Sequence, residues 1–181
     1  MRTYNGDNYK NIAILGSFSK HYDLIVAVSK KFIESGFNVL VPKISGIKDE
    51  NSSFLILIGD NSNNPNQLES DYLNKCLEAD LVYVCDKDGY ICTTVSFELG
   101  VLTSYGQEIY FLEKPNDDLF AGMIHLQEST ICKPEDLINK INLHNEIWNS
   151  KEWFDKDERD DEVPFVLTKK RNTTIYPKVI N

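Results

Sequence analysis

The stretch "NIAILGSFSKHYDLIVAVSKKFIESGFNVLVPK" (11–43) decides the fold of this chain. It opens with a short apolar run (11–18), which indicates a buried strand. The next segment (21–35) carries apolar residues at helical spacing, and Gly36 is placed to end that helix. A second apolar run (37–43) follows. A strand, a helix and a strand in this order predict a βαβ unit, with parallel strands joined by a right-handed crossover.

The alternation of strand and helix continues along the chain. Helices are predicted at 67–80, 93–106 and 133–150, and strands at 81–86 and 108–114. The polar segment 60–67 is predicted to be a loop, and "FLILIG" (54–59) either a strand or a packed loop over a pocket. The pattern predicts one α/β domain over residues 1–150. We expect a doubly wound, mainly parallel sheet. For residues 151–181 we expect an acidic link and a C-terminal strand or arm.

Composition restricts the class of protein. The 181 residues are 41% hydrophobic and 26% charged, as in a globular protein, and the net charge of −9 disfavours binding to long nucleic acid. No signal peptide and no apolar run of the ~20 residues that cross a bilayer is visible, so we expect no membrane contact and a cytoplasmic location. The four cysteines form no CxxC pair, which predicts free thiols and no metal site.

The first candidate site segment is "LGSFSKHYD" (15–23), which follows the first predicted strand. Gly16 lets the backbone turn, and Ser17 and Ser19 bring hydroxyl groups next to the amides that open a helix, an arrangement suited to an anion such as phosphate. An ordinary strand-to-helix turn explains the same residues. The segment has neither GxGxxG nor GxxxxGK[ST], so it indicates neither an NAD site nor an ATP site.

Two further segments carry carboxylates. Glu69 and Asp71 are expected in the first turn of their helix, where the helix dipole favours acidic residues. In "GYICTTVSFELG" (89–100), Glu98 is expected in the second turn of a helix that begins near Thr93, with Ser96 nearby. A carboxylate that is partly desolvated yet close to the positive end of a helix is expected to stay ionised and to be able to act as a nucleophile.

Taken together in chain order, three segments resemble the nucleoside 2-deoxyribosyltransferase-like superfamily, which includes nucleoside deoxyribosyltransferases and nucleoside-monophosphate N-glycosidases. They are "ILGSFSKHYDLIVAVSKKFIESGFNVLVPK", "LESDYLNKCLEADLVYVCDKDGYI" and "VSFELGVLTSYGQEIYFLEKP". The similarity extends over residues 11–118, and it implies a three-layer sandwich of flavodoxin-like or Rossmann-like type. It implies cleavage or transfer at an N-glycosidic bond of a nucleoside or a nucleoside 5′-monophosphate, without a cofactor or metal, in a homodimer or higher homo-oligomer.

The resemblance also implies roles for individual residues. Glu98 matches the glutamate that attacks the anomeric carbon, and Asp71 matches the acid that acts at the nucleobase. Gly16 and Ser17 match the turn placed against the sugar or its 5′-phosphate. The remaining residues that we expect to bind substrate are Phe18, Ser19, Asp86, Tyr90 and Ser96. This chemistry needs two carboxyl groups in different environments, one under the sugar and one that protonates the base.

One departure from the family pattern bears on the activity. The transferases carry an aspartate six residues before the nucleophile, whereas this chain has Cys92 there. Ser96, Ser17 and Ser19 favour a hydrolase acting on nucleoside monophosphates over base exchange. The alternative is a noncatalytic module of the same fold that binds a nucleotide or a sugar derivative. A flavodoxin-like redox protein has less support, because Tyr90 alone does not supply a flavin site.

Overall fold

The computed structural model describes residues 8–49, 56–124, 126–127 and 130–149. The strands are β1 (Asn11–Gly16), β2 (Asn38–Val41), β3 (Ile47–Asp49), β4 (Ile56–Leu57), β5 (Leu81–Cys85) and β6 (Ile109–Phe111). The helices are α1 (Phe18–Glu34), α2 (Pro65–Glu78), α3 (Thr93–Ser104), α4 (Asp118–Met123) and α5 (Pro134–Asn149). The acidic link and C-terminal arm expected at 151–181 lie outside the described residues.

A four-stranded parallel sheet in the order β2-β1-β5-β6 organises the described chain. From β1 the chain first crosses to β2 on one side and later returns to β5 on the other. The strand order therefore reverses beside β1, and Gly16 at its end is in register with Cys85 at the end of β5. In open α/β sheets, ligands bind outside the carboxyl ends of the strands at such a reversal. The predicted doubly wound α/β fold is confirmed.

Helices cover both faces of this sheet, because alternate residues of a strand point to opposite sides. Ile12 and Ile14 of β1 pack in one buried cluster with residues of α1 and α5. Ala13 and Leu15 pack in a second cluster with residues of α2 and α3. Burial on both faces explains why the parallel strands are nearly continuous apolar runs. The core thus has two halves, separated by the sheet.

The first crossover has a well-defined end. Gly36 has a φ of +89°, and its amide donates to the carbonyl of Ile33 at 2.9 Å while the Phe37 amide donates to the carbonyl of Phe32 at 3.0 Å. These two bonds form a Schellman motif, as expected for a glycine just beyond a helix. At its other end, α1 begins at Phe18, three residues earlier than the sequence pattern predicted.

The segment between β2 and α2 differs from the expectation in two ways. The strand alternative for "FLILIG" is confirmed in part, since Ile56–Leu57 form β4 and pair antiparallel with β3, which was not predicted. The segment 60–67 is not wholly a loop, because α2 already begins at Pro65. The Asn64 side chain caps it by accepting from the Asn66 amide at 3.0 Å, and proline is favoured at a first helical position. The short helix α4 was also not predicted.

Two further features concern membrane spanning and the cysteines. Within the residues that the structure describes, no helix has the length and apolar character required to cross a membrane. All four cysteines are free thiols, with Cys76 and Cys85 buried and Cys92 and Cys132 partly exposed.

Candidate functional site

A pocket of about 580 Å³ opens at the carboxyl ends of β1 and β2. Its volume is in the range of sites that hold small-molecule ligands. The turn after β1 forms one wall, the end of β2 and Leu57 of β4 form another, and residues of α2 and α3 complete it. Within the described part of "FLILIG", Leu57 belongs both to β4 and to the pocket wall. The pocket lies where the sheet topology predicts a ligand.

Glu98 lines this pocket from the second turn of α3. The helix begins at Thr93, as predicted, and Glu98 lies on the side that carries the buried Val95, Leu99 and Leu102. Only 4% of the Glu98 surface is exposed. A carboxyl group in this position is expensive to ionise unless a partner compensates for the lost hydration.

The partner of Glu98 is a second carboxyl group. Glu69 of α2 also lines the pocket and is hydrogen-bonded to Glu98. Burial, and then the nearby Glu69 charge, raise the pKa of Glu98 well above its usual range. Burial also raises the pKa of Glu69, while the hydrogen bond from Glu98 lowers it. Two carboxyls this close retain one proton near neutral pH, and the stronger rise in the pKa of Glu98 favours Glu98 as its carrier.

This pairing corrects the electrostatic expectation for Glu98. We expected the positive end of α3 to keep its carboxylate ionised, but at Glu98 desolvation together with a like charge outweighs the dipole. Glu69 and Asp71 were both expected in the first turn of α2, where the helix dipole explains acidic residues, and only Asp71 matched the acid of the family. With Pro65 as the first residue of α2, no acidic residue lies in its first turn.

A signal for Glu69 was nevertheless present in the sequence. Glu69, Tyr72 and Cys76 follow one another at spacings of three and four residues, so they share one face of α2. Cys76 on that face is completely buried. Tyr72 donates a hydrogen bond from its hydroxyl group to the Ile14 carbonyl, which ties this face to β1. The spacing therefore places Glu69 on the buried face of a helix, and a glutamate on such a face is unusual enough to mark a candidate site residue.

Asp71 lines the pocket as well, but in a different environment. It is exposed, whereas Glu69 is partly buried. Lys75 and Glu78 lie four and seven residues after Asp71, so they share its side of α2, where they are half-exposed and paired with each other at 2.5 Å. The structure therefore brings the predicted pair Asp71 and Glu98 into one pocket but gives Glu98 another carboxyl as its direct partner.

The Gly16–Ser19 turn forms the wall of the pocket at the end of β1. A Cβ atom on Gly16 would lie 2.9 Å from Ile25 Cδ1 and 3.0 Å from the Cys85 carbonyl oxygen, so this close approach requires glycine. The Ser17 and Ser19 hydroxyl oxygens are 3.3 Å apart. Phe18 packs edge-on against Tyr72, with ring centroids 5.9 Å apart. The wall thus offers hydroxyl groups and aromatic surface together.

Three predicted substrate contacts do not line the pocket. Ser96 donates from its hydroxyl group to the Cys92 carbonyl at 3.1 Å within α3. Asp86 is completely buried and accepts from the Glu113 amide at 3.0 Å, and burial raises its pKa to about 7. Tyr90 lies beneath the Lys20 ammonium group, which is 3.4 Å from the ring centroid. Cys92, by contrast, does line the pocket, at the position of the missing aspartate.

Comparison with solved structures supports the fold. No family model matches the chain, and no curated protein matches it either. A solved structure described as a conserved protein from Enterococcus faecalis V583 is similar, with a TM-score of 0.51 and 13% sequence identity. The match covers 75% of this chain and 98% of that one. At this identity the similarity shows a shared α/β fold.

Proposed function

We propose that this protein cleaves the N-glycosidic bond of a nucleoside or nucleoside 5′-monophosphate, with Glu98 as the nucleophile. The observation that carries the proposal is a glutamate with 4% of its surface exposed that lines a pocket at the carboxyl ends of the parallel strands. Burial of such a group is costly, so its retention in a ligand-sized pocket is better explained by chemistry than by stability. The resemblance in the order of motifs supports the same reaction.

The pocket walls suit the parts of such a substrate. Phe18 and Tyr72 offer aromatic surface for a nucleobase. Ser17 and Ser19, at the start of the 17-residue helix α1, offer hydroxyl groups and helix amides to a 5′-hydroxyl or a 5′-phosphate. Glu98 would then attack the anomeric carbon through an oxocarbenium-like transition state, and an acid on α2 would protonate the departing base. Asp71 is the acid suggested by the family resemblance.

The second candidate is a noncatalytic module that binds a nucleotide or sugar derivative. Cys92 favours it, because this pocket residue replaces an aspartate that contacts the sugar in the transferases. A thiol there cannot accept hydrogen bonds from sugar hydroxyl groups as strongly as a carboxylate does.

Chromatographic detection of free base separates the two candidates. Nucleosides and their monophosphates are incubated with the protein, with and without a second base as acceptor. We expect base release by the wild type and a loss of at least about a thousandfold in Glu98→Gln, because removal of a nucleophile eliminates the covalent route. Unchanged ligand binding in that variant, with no base released by either protein, would support the binding module instead.

A further inference from the structure

The shared proton of the Glu69–Glu98 pair raises the question of where it goes when Glu98 attacks. Among the described residues, the buried Oε1 of Glu69 has no N–H or hydroxyl donor as a partner. Glu69 is hydrogen-bonded to Glu98, so a carboxyl proton joins the two groups. Glu98 must give up this proton before its oxygen can act as a nucleophile. Glu69 is the base already in contact with it.

We propose that Glu69, and not Asp71, is the catalytic acid and base of this site: it takes the proton from Glu98 and delivers it to the departing nucleobase. This inference rests on the proposed function. Both residues line the pocket from α2, so position along the helix does not decide between them. Contact with the nucleophile does decide, because Glu69 is hydrogen-bonded to Glu98 and partly buried, whereas Asp71 is exposed.

The proposed sequence conserves protons and charge. A proton moves from Glu98 to Glu69, and the Glu98 carboxylate oxygen forms a bond to the anomeric carbon. The bond from that carbon to the base nitrogen breaks, its electron pair stays on the nitrogen, and Glu69 protonates the base. Glu69, now ionised, takes a proton from water, whose oxygen attacks the same carbon and releases Glu98. The proton on Glu69 then returns to Glu98, so the pair regains its initial state.

Other ionisable groups also surround the pair. Those lining the pocket are Lys43 and Asp60, together with Asp71, Lys75 and Glu78 of α2 and Cys92 before α3, while Tyr72 and Cys76 of α2 pack against the pair. Burial raises the pKa of both Tyr72 and Cys76, so these two groups stay neutral at physiological pH. Lys43 donates to the Gly59 carbonyl at 3.0 Å, and Lys75 is paired with Glu78. Among these groups, Glu69 is the one that is hydrogen-bonded to Glu98.

The test uses two leaving groups on one sugar. Wild type, Glu69→Gln and Asp71→Asn are compared on a nucleoside accepted by the wild type and on the 4-nitrophenyl glycoside of the same sugar, whose leaving group needs no proton. For Glu69→Gln we expect a loss of about 10²–10⁴-fold on the nucleoside. On the nitrophenyl glycoside we expect a rapid burst of one nitrophenolate per active site, followed by slow turnover. A residue with only a structural role would lower both rates alike.

The outcomes separate the two proposals. Glu69 is supported as the acid if the wild type releases base and Glu69→Gln loses activity on the nucleoside but still gives the nitrophenolate burst. We call this combination the leaving-group difference. If the wild type releases base but the leaving-group difference appears in Asp71→Asn and not in Glu69→Gln, the inference is overturned and the proposed function stands. Equal losses on both substrates in Glu69→Gln would also overturn it. A wild type that acts on neither substrate class overturns both. Thermal unfolding of each variant identifies loss of folding.

Discussion

At the scale of single residues, the central feature is a carboxyl pair in a pocket wall. Glu98 was selected because it matches the nucleophile of the family that the chain resembles, and the structure places it in the pocket. Its ionisation state was not predictable, because it depends on a contact between α2 and α3, which lie far apart in the chain. Glu69 makes that contact. The burial of Glu98 and the charge of Glu69 together convert the expected Glu98 carboxylate into a carboxyl that holds a proton.

Substitution of Glu98 by glutamine is expected to change how stability depends on pH. The pKa of Glu98 is raised in the folded state, so the native protein binds more protons than the unfolded chain above the ordinary glutamate pKa of about 4.3. Stability of the wild type therefore falls as the pH rises from that value through neutrality. Glutamine does not titrate, so we expect Glu98→Gln to lose less stability over this range.

Thermal melting between pH 4 and pH 8 measures this effect. We expect the melting temperature of Glu98→Gln to exceed that of the wild type by a few degrees at pH 8 and by much less at pH 4, since about 1 kcal/mol corresponds to roughly 2–4 °C in a chain of this size. A constant difference across the pH range would mean that Glu98 does not titrate differently in the folded state.

At the scale of elements, local sequence rules predicted most helices and strands. The Schellman motif after α1 followed from Gly36, and the strands β1 and β5 followed from their apolar runs. Element ends were less predictable, because they depend on capping. Because Asn64 caps α2 and Pro65 is favoured at its first position, the helix begins earlier than its apolar pattern predicts. This shift moves Glu69 out of the first turn. The hairpin β3–β4 was missed because its strands are very short.

Two glycines give opposite predictions for helix stability. A Cβ atom added at Gly36 or at Gly100 would meet no neighbouring heavy atom within 4 Å, so packing contacts do not contribute to the change in stability. Gly36 needs a φ of +89°, which costs an alanine about 1–2 kcal/mol. Gly100 lies within α3, where alanine is favoured by up to about 1 kcal/mol. Urea denaturation should therefore show a loss of stability in Gly36→Ala and a gain in Gly100→Ala.

Effects of the same sign in the two variants would contradict this reading of the backbone. Gly36→Asn serves as the matched control, because asparagine tolerates the left-handed conformation better than alanine. Its loss of stability should be smaller than that of Gly36→Ala.

At the scale of the whole molecule, the order of strands places the site. Sequence alternation predicted a parallel sheet, and the reversal of strand order beside β1 explains why the turn after β1 lines the pocket. The family resemblance led us to expect Asp86 and Tyr90 in the site as well, and both follow β5. The structure puts them elsewhere, since the Asp86 carboxylate turns inward to bind the Glu113 amide next to β6. A residue after a strand end faces the pocket only if no neighbouring loop uses it.

The packing of α3 on the sheet holds the nucleophile candidate in place. Leu99, next to Glu98, is completely buried, whereas Phe97 on its other side is 61% exposed. We expect Leu99→Ala to lower the free energy of unfolding by about 2–5 kcal/mol. Phe97→Ala should change it by no more than about 0.5 kcal/mol. Urea denaturation measures both, and a loss for Phe97→Ala as large as that for Leu99→Ala would mean that α3 packs through its other face.

The most direct measurement of the central claim is a search for a covalent bond between Glu98 and the sugar. A nucleoside fluorinated at C2′ destabilises the oxocarbenium-like transition state and slows hydrolysis of a glycosyl ester, so the ester should accumulate. Peptide mapping by mass spectrometry should then show one sugar attached at Glu98 in the wild type and none in Glu98→Gln. A sugar attached to another carboxylate, or base release with no sugar attached to any residue, would contradict the account.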